Sequence, residues 1–196
     1  MSRPWAGALA LAGLLLSVSP SVLALEVSSQ ATLPAAYSVS PGLDWHLSYG
    51  VGSRAGIRKL GVVAGWQRNA PLWQGEQWRL ALRHELEVAF WRVPKAKNII
   101  EAGYSPFLRL ERPLSGSRQF FVEASIGVRL LSHTRLSSEH TLSTAFQFSD
   151  QLGVGYQWGP QGRSTLGLRF QHLSNAGIKR PNPGINFTQI YYRHQF

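Results

Sequence analysis

Two side chains able to begin acyl-transfer chemistry stand two residues apart in this 196-residue chain: His172 and Ser174, separated by Leu173. They close a run of alternating apolar residues. The loop that follows, Asn175-Ala176-Gly177-Ile178-Lys179-Arg180-Pro181-Asn182-Pro183-Gly184, is dense in turn formers. Successive side chains of a strand alternate faces, so residues i and i+2 point the same way. A serine hydroxyl beside an imidazole base is the core of nucleophilic attack on a carbonyl. It works when a third group orients the imidazole through its other nitrogen. Asp150 is a candidate for that third group.

The elements that must position these groups read as strands. From Leu43 onward apolar and polar residues alternate in eight runs, beginning near Leu43, Leu60, Trp78, Ile100, Phe120, Phe146, Leu166 and Ile190. The apolar faces are continuous, with Trp and Tyr near several strand ends. The polar faces mix charges with Gly and Ser. They carry Arg79, Arg83, Glu85, Glu87, Glu101, Arg109, Glu111 and Glu123, a set expected to form an interior ion-pair network rather than a catalytic centre. At the amino end Arg3 precedes the apolar run 6–18 and Val22-Leu23-Ala24, the pattern of a secretory signal peptide cut after Ala24. Export, strand length and aromatic ends together predict an all-β fold: one eight-stranded antiparallel transmembrane β-barrel of the outer membrane, spanning 25–196. The terminal Phe196 is similar to the C-terminal assembly signal of such barrels. With the amino end periplasmic, 69–76, 113–117 and 159–163 are periplasmic turns, and the loops near 52–55, 93–98, 132–141 and 175–185 are extracellular.

Composition narrows the partners. Lys and Arg number 20 against 10 acidic residues, so the surface suits a polyanion. Export removes nucleic acid from consideration and leaves a phosphorylated membrane surface. The absence of cysteine excludes disulfides and thiol-metal sites, and the six histidines show no metal-binding spacing, so no metal or other cofactor is expected.

His172 and Ser174 share the parity of Leu166, Leu168 and Phe170, the lipid-facing side, at the extracellular end of their strand. A bland reading puts them just above the apolar belt, where polar groups are free. Hairpin counting adds to this. Closing the turn 159–163 pairs Trp158 with Ser164 and sets Asp150 opposite His172, also on the lipid-facing parity, where a lone carboxylate is costly. Closing 175–185 sets Asn186 near Ser174. One outward patch would then hold Ser, His, Asp and Asn, enough for nucleophile, base and orienter. His84 is expected to face lipid in mid-strand with no obvious partner.

The His-Leu-Ser-Asn-Ala-Gly-Ile-Lys-Arg-Pro-Asn-Pro-Gly segment beginning at His172 resembles the signature of the PagL family, outer-membrane lipid A 3-O-deacylases. Barrel, signal peptide and length agree with that family over essentially the whole mature chain. The resemblance implies a serine esterase acting on lipid A of lipopolysaccharide, its site facing the outer leaflet, with Ser174 as nucleophile and His172 as base. The family's third member is a glutamate, and Asn186 stands at its position. Asparagine can fix the imidazole tautomer but supplies no charge, and an Asp-to-Asn change in a serine protease triad costs about 10⁴ in rate. Asp150 is the alternative orienter. Asn175 and Asn182 are candidate oxyanion donors, with turn chemistry an equal reading of both. Lys179 and Arg180 could meet lipid phosphates or form a solvated loop. The rival readings are a non-enzymatic structural or adhesive barrel and a palmitoyl transferase acting on the same lipid. Whether the barrel works singly or as a homodimer is left open by the sequence.

Overall fold

The computed structural model describes residues 42–54, 56–68 and 70–195. The expected signal peptide, the lead-in to the first strand and the terminal Phe196 lie outside the described residues. Nine strands follow in chain order: β1 (Asp44–Gly52), β2 (Arg58–Gln67), β3 (Trp73–Gln74), β4 (Arg79–Arg92), β5 (Ile99–Pro113), β6 (Gln119–Leu131), β7 (Phe146–Trp158), β8 (Ser164–Ser174) and β9 (Ile185–His194). Eight of them are the staves of a closed antiparallel barrel. β1 pairs with both β2 and β9, and β2 pairs with β4 to complete the ring.

The ninth, β3, was expected to be plain turn. Two residues of the 69–76 segment instead fold back on the foot of β4, Trp73 opposite Leu80 and Gln74 opposite Arg79. The backbone amides of Leu72 and Gly75 donate to the carbonyls of Leu80 and Trp78. A segment this long has enough slack to satisfy its amides on the neighbouring strand end.

Burial is inverted relative to a protein built for water. In β1, Asp44, His46 and Ser48 are buried while Trp45, Leu47, Tyr49 and Val51 are exposed. The same alternation runs through β4, where Arg83, Glu85 and Glu87 face inward and Leu86, Val88 and Phe90 outward. A continuous apolar outer belt of this kind belongs in hydrocarbon.

Inside, the charges form the network expected from parity. Arg83 bonds Asp44 at 2.5 Å and Glu85 at 2.8 Å, and Arg169 bridges Glu85 and Glu123, both at 2.7 Å. Arg109 holds Glu123 at 2.7 Å, Arg79 holds Glu111, and Lys59 and Arg129 share Glu101 at 2.8 and 2.6 Å. Buried ion pairs are weak evidence for net stability, because desolvation offsets attraction. They do make any slip of register costly, since every partner would be lost at once. Gly167 gives up its side chain so that the buried ring of Tyr191 can cross it, with the hydroxyl donating to Glu123 at 3.1 Å.

The interior is not polar throughout. At the end that carries the loops 53–57, 93–98 and 132–145, it is filled by Ile57, Ala89, Trp91, Val93, Ile99, Leu131, Leu173, Ile185 and Phe187. Leu136 and Leu142 of the 132–145 loop fold down onto them. Parity places the barrel residues inward; the loop's inward fold is a tertiary event that alternation does not encode.

Candidate active site

The apolar plug explains where His172 and Ser174 point. Leu173 is fully buried in it, and a strand that sends Leu173 inward must send both neighbours outward. Ile185 and Phe187, buried in the same plug, do this for Asn186. Ser149 and Gln151 are buried on the polar inner face and leave Asp150 outside, and the Ser149 hydroxyl accepts a 2.8 Å hydrogen bond from Gln171. All four outward residues are half-buried.

Register brings them together. Trp158 pairs with Ser164, and Asp150 lies opposite His172. Across the other edge of β8, His172 lies opposite Asn186. The three therefore form a row over β7, β8 and β9, with Ser174 one same-face step further up β8, about 7 Å along the strand. The expectation that Asn186 sits near Ser174 is corrected. Pairing of β8 with β9 ends at Leu173 and Ile185, so Ser174 lies beyond the ladder and Asn186 falls against the imidazole.

That contact is a hydrogen bond of 2.6 Å between His172 Nδ1 and Asn186 Oδ1. An amide oxygen only accepts, so Nδ1 carries the proton and the lone pair of the neutral ring lies on Nε2, the tautomer a serine nucleophile requires. Asn186 is itself held. Its backbone N–H donates to Ser53 Oγ at 3.1 Å, and the Ser53 N–H donates to the Asn186 carbonyl at 2.7 Å. The β1–β2 loop thus clamps Asn186 through its backbone.

Gly184, just before β9, is buried with φ +61°. A Cβ there would meet His172 Cε1 and the Leu173 carbonyl oxygen, each at 2.9 Å. Only glycine lets the chain turn into β9 so close to the imidazole edge.

The loop after Ser174 is built on Asn175. Its buried amide donates to the carbonyls of Lys179 at 2.8 Å and Leu142 at 3.2 Å, and its Oδ1 accepts from the Gly177 N–H at 3.0 Å. Both hydrogens of the Asn175 NH₂ are spent on backbone, which fits the turn reading of this residue. The Asn175 N–H in turn donates to Asn182 Oδ1 at 3.0 Å, committing the oxygen of Asn182 and leaving its NH₂ as the donor end. Ser143 Oγ donates to the Pro181 carbonyl at 2.6 Å, tying the 132–145 loop to the same segment. Lys179 and Arg180 are exposed on it.

Two residues that sequence reasoning missed are therefore Ser53 and Gly184. The second had a signal, a Pro-Gly directly before a strand; the first had none. His84 has partners after all: its Nδ1 lies 2.7 Å from the Tyr104 hydroxyl, and its ring stacks on Trp66 and Tyr104. Those partners come from β2 and β5, out of reach of local pattern. Among the described residues, no group of three or more His, Asp or Glu could hold a metal ion.

Comparison with known proteins follows the same lines. The family profile described as Lipid A 3-O-deacylase (PagL) matches residues 58–195. The chain is 37% identical over 123 residues to the lipid A deacylase PagL of Bordetella bronchiseptica, covering 62% of this chain and 67% of that protein. It is 40% identical over 73 residues to the Pseudomonas aeruginosa protein of the same name, covering 37% of this chain and 40% of that one. Among solved structures, one described as the outer membrane enzyme PagL superposes with a TM-score of 0.71 at 25% identity. That match covers 78% of this chain and 99% of the other.

Proposed function

This chain belongs to the lipid A 3-O-deacylase (PagL) family, and we propose that its outward row of Asp150, His172 and Asn186, with Ser174 beside it, is where it hydrolyses lipid A. Lipid A deacylation in the outer membrane is the activity; the residues that carry it and the direction the site faces are the proposal. The observation that carries it is the 2.6 Å bond from His172 Nδ1–H to Asn186 Oδ1, which leaves Nε2 on the same face as the serine.

The reaction follows from that geometry. Nε2 of His172 takes the Ser174 proton as Oγ attacks the carbonyl of the 3-O-linked 3-hydroxyacyl ester. The tetrahedral oxyanion accepts a hydrogen bond from the NH₂ of Asn182, whose position is fixed through the Asn175 amide. The C–O bond to the lipid breaks, its 3-oxygen takes the proton from the imidazolium, and an acyl-serine remains. Water then attacks, losing its proton to Nε2, and the fatty acid leaves as Ser174 recovers its hydrogen.

Asn186 orients the base without charge. Asp150, across the other edge of β8, supplies the carboxylate that balances the transient imidazolium. A half-buried carboxylate on a lipid-facing wall is expensive unless something nearby repays it, and His172 is directly opposite. Ester bonds of lipid A lie at the level where an outward site near a strand end would meet them. The site is at the end bearing the long 132–145 and 175–184 loops, which supports the outer-leaflet orientation. Lys179 and Arg180, beside the site, meet the lipid phosphates.

The test is mass analysis of lipid A from an outer membrane carrying the protein. Loss of one 3-hydroxyacyl chain with the parent, and intact lipid A with an equally abundant, folded Ser174→Ala variant, is the expected result. Unchanged deacylation by Ser174→Ala would overturn the assignment.

A further inference from the structure

On the wall opposite the active site, two arginines face outward at the same end of the barrel. Arg58 opens β2 and Arg92 closes β4, and the two are direct partners in the β2–β4 ladder. Both are exposed and share the parity of the apolar residues beneath them: Leu60 opposite Phe90, then Val62 opposite Val88, all exposed. β4 lies four staves from β8 in either direction round the ring, and β2 lies three from it by way of β1 and β9. The pair is therefore separate from the catalytic row.

Like charges directly opposite each other on one face are destabilising. Among the described residues neither guanidinium has a carboxylate partner; Arg58 spends one donor on the Ile57 carbonyl at 3.2 Å. The interior shows the contrast, because every arginine of its network is matched to an acid. Lys95 and Lys97, exposed in the turn directly after Arg92, add two more positive charges without an acidic neighbour in that segment. Two forked guanidiniums about 5 Å apart at their Cβ atoms suit the oxygens of a phosphate monoester, which can take parallel hydrogen bonds from both. An apolar ladder starting one two-residue step below suits acyl chains.

We infer that Arg58 and Arg92 form a second, non-catalytic seat for a phosphate-bearing lipid of the outer leaflet, its phosphate on the arginine pair and its chains along Leu60, Phe90, Val62 and Val88. Lipid A is the ligand with this chemistry that the enzyme already meets. The inference rests on the outer-leaflet orientation proposed above, but not on the serine mechanism. A bound lipid there tethers the barrel in a lipopolysaccharide-rich patch without occupying the site that hydrolyses it.

The experiment counts bound lipid by native mass spectrometry and phosphate analysis. It uses the detergent-solubilised full-length Ser174→Ala protein, so that nothing is turned over. The probes are bisphosphorylated lipid A, the same lipid after phosphatase treatment, and inorganic phosphate. Two classes of lipid A site are expected. Arg58→Gln with Arg92→Gln should weaken one class about 25-fold, taking about a factor of five for each cation facing an anionic headgroup. Dephosphorylated lipid A should lose that class in the unsubstituted arginine background, a control that needs no folding of the double variant. Arg58→Lys with Arg92→Lys should retain part of it. A single class indifferent to the arginines would overturn the inference. So would a second class that millimolar inorganic phosphate displaces completely, since the lipid chains would then contribute nothing. Failure of the serine mechanism would show elsewhere, as deacylation by the Ser174→Ala protein.

Discussion

Removing the charge of Asp150 while keeping its shape separates the two ways His172 can be supported. Asp150 sits directly opposite His172 in the β7–β8 register, on the same outward face. Cross-strand partners have Cβ atoms about 5 Å apart. At an effective dielectric of ~20, a carboxylate and an imidazolium at that distance attract by about 3 kcal/mol. Only the protonated imidazole feels this, so it lowers the barriers of steps that create it, by roughly 10² in rate. Asp150→Asn should therefore lower kcat about 100-fold and leave KM near its original value. The assay is time-resolved mass spectrometry of lipid A in detergent micelles with purified protein, its folding checked by heat-dependent gel mobility. Combining Asp150→Asn with Asn186→Glu moves the negative charge to the other side of the ring and should restore most of the lost rate. If Asp150→Asn retained kcat within threefold of the parent while Asn186→Ala abolished activity, the amide alone would suffice. The electrostatic role given to Asp150 would then be wrong.

Four further outcomes follow from the same geometry. Asn186→Ala should lose the tautomer control of the 2.6 Å bond and fall by 10² or more in kcat, roughly the range of a misoriented triad histidine, whereas Asn186→Glu should raise kcat; both are read in the same assay. Gly184→Ala places a methyl against the imidazole at a φ of +61°, costing about 1–2 kcal/mol of stability. It should cost more in kcat than in melting temperature, measured side by side by activity and circular dichroism. Ser53→Ala removes the acceptor of the Asn186 amide, and a loss of about 1 kcal/mol should appear as a several-fold drop in kcat with no change in lipid affinity, as measured by titration. Leu173→Ala leaves a cavity in the plug, with an expected cost of about 2–5 kcal/mol in unfolding experiments and reduced activity from a loosened β8.

The staves and their faces were legible because alternation is local: each residue's face follows from its neighbour's, and a tight turn transmits register to the next strand. Asp150 opposite His172 came from that arithmetic, counted back from Trp158 and Ser164. The same arithmetic misplaced Asn186 by one same-face step. The loop between β8 and β9 is long, and its path is set by Asn175, Asn182 and the turn at Gly184 rather than by a short hairpin. Ser53 was invisible because the contact joins residues 133 positions apart across the closing seam. The apolar plug was invisible for a related reason. Leu136 and Leu142 lie in a loop with no period to read, and only the closed barrel gives them a cavity to fill.

The plug and the charge network have an electrical consequence. A cylinder through the membrane would ordinarily be a conduit, and a cell that makes many of them would leak. Here the bore is obstructed twice, by hydrocarbon at one end and by tightly paired ions below it. An ion entering it would have to displace Trp91 and Phe187 and then break guanidinium–carboxylate pairs. The protein should therefore act as an insulator, silent in a planar bilayer under applied voltage. A cell can then carry many copies of it in the outer membrane and keep its permeability barrier intact.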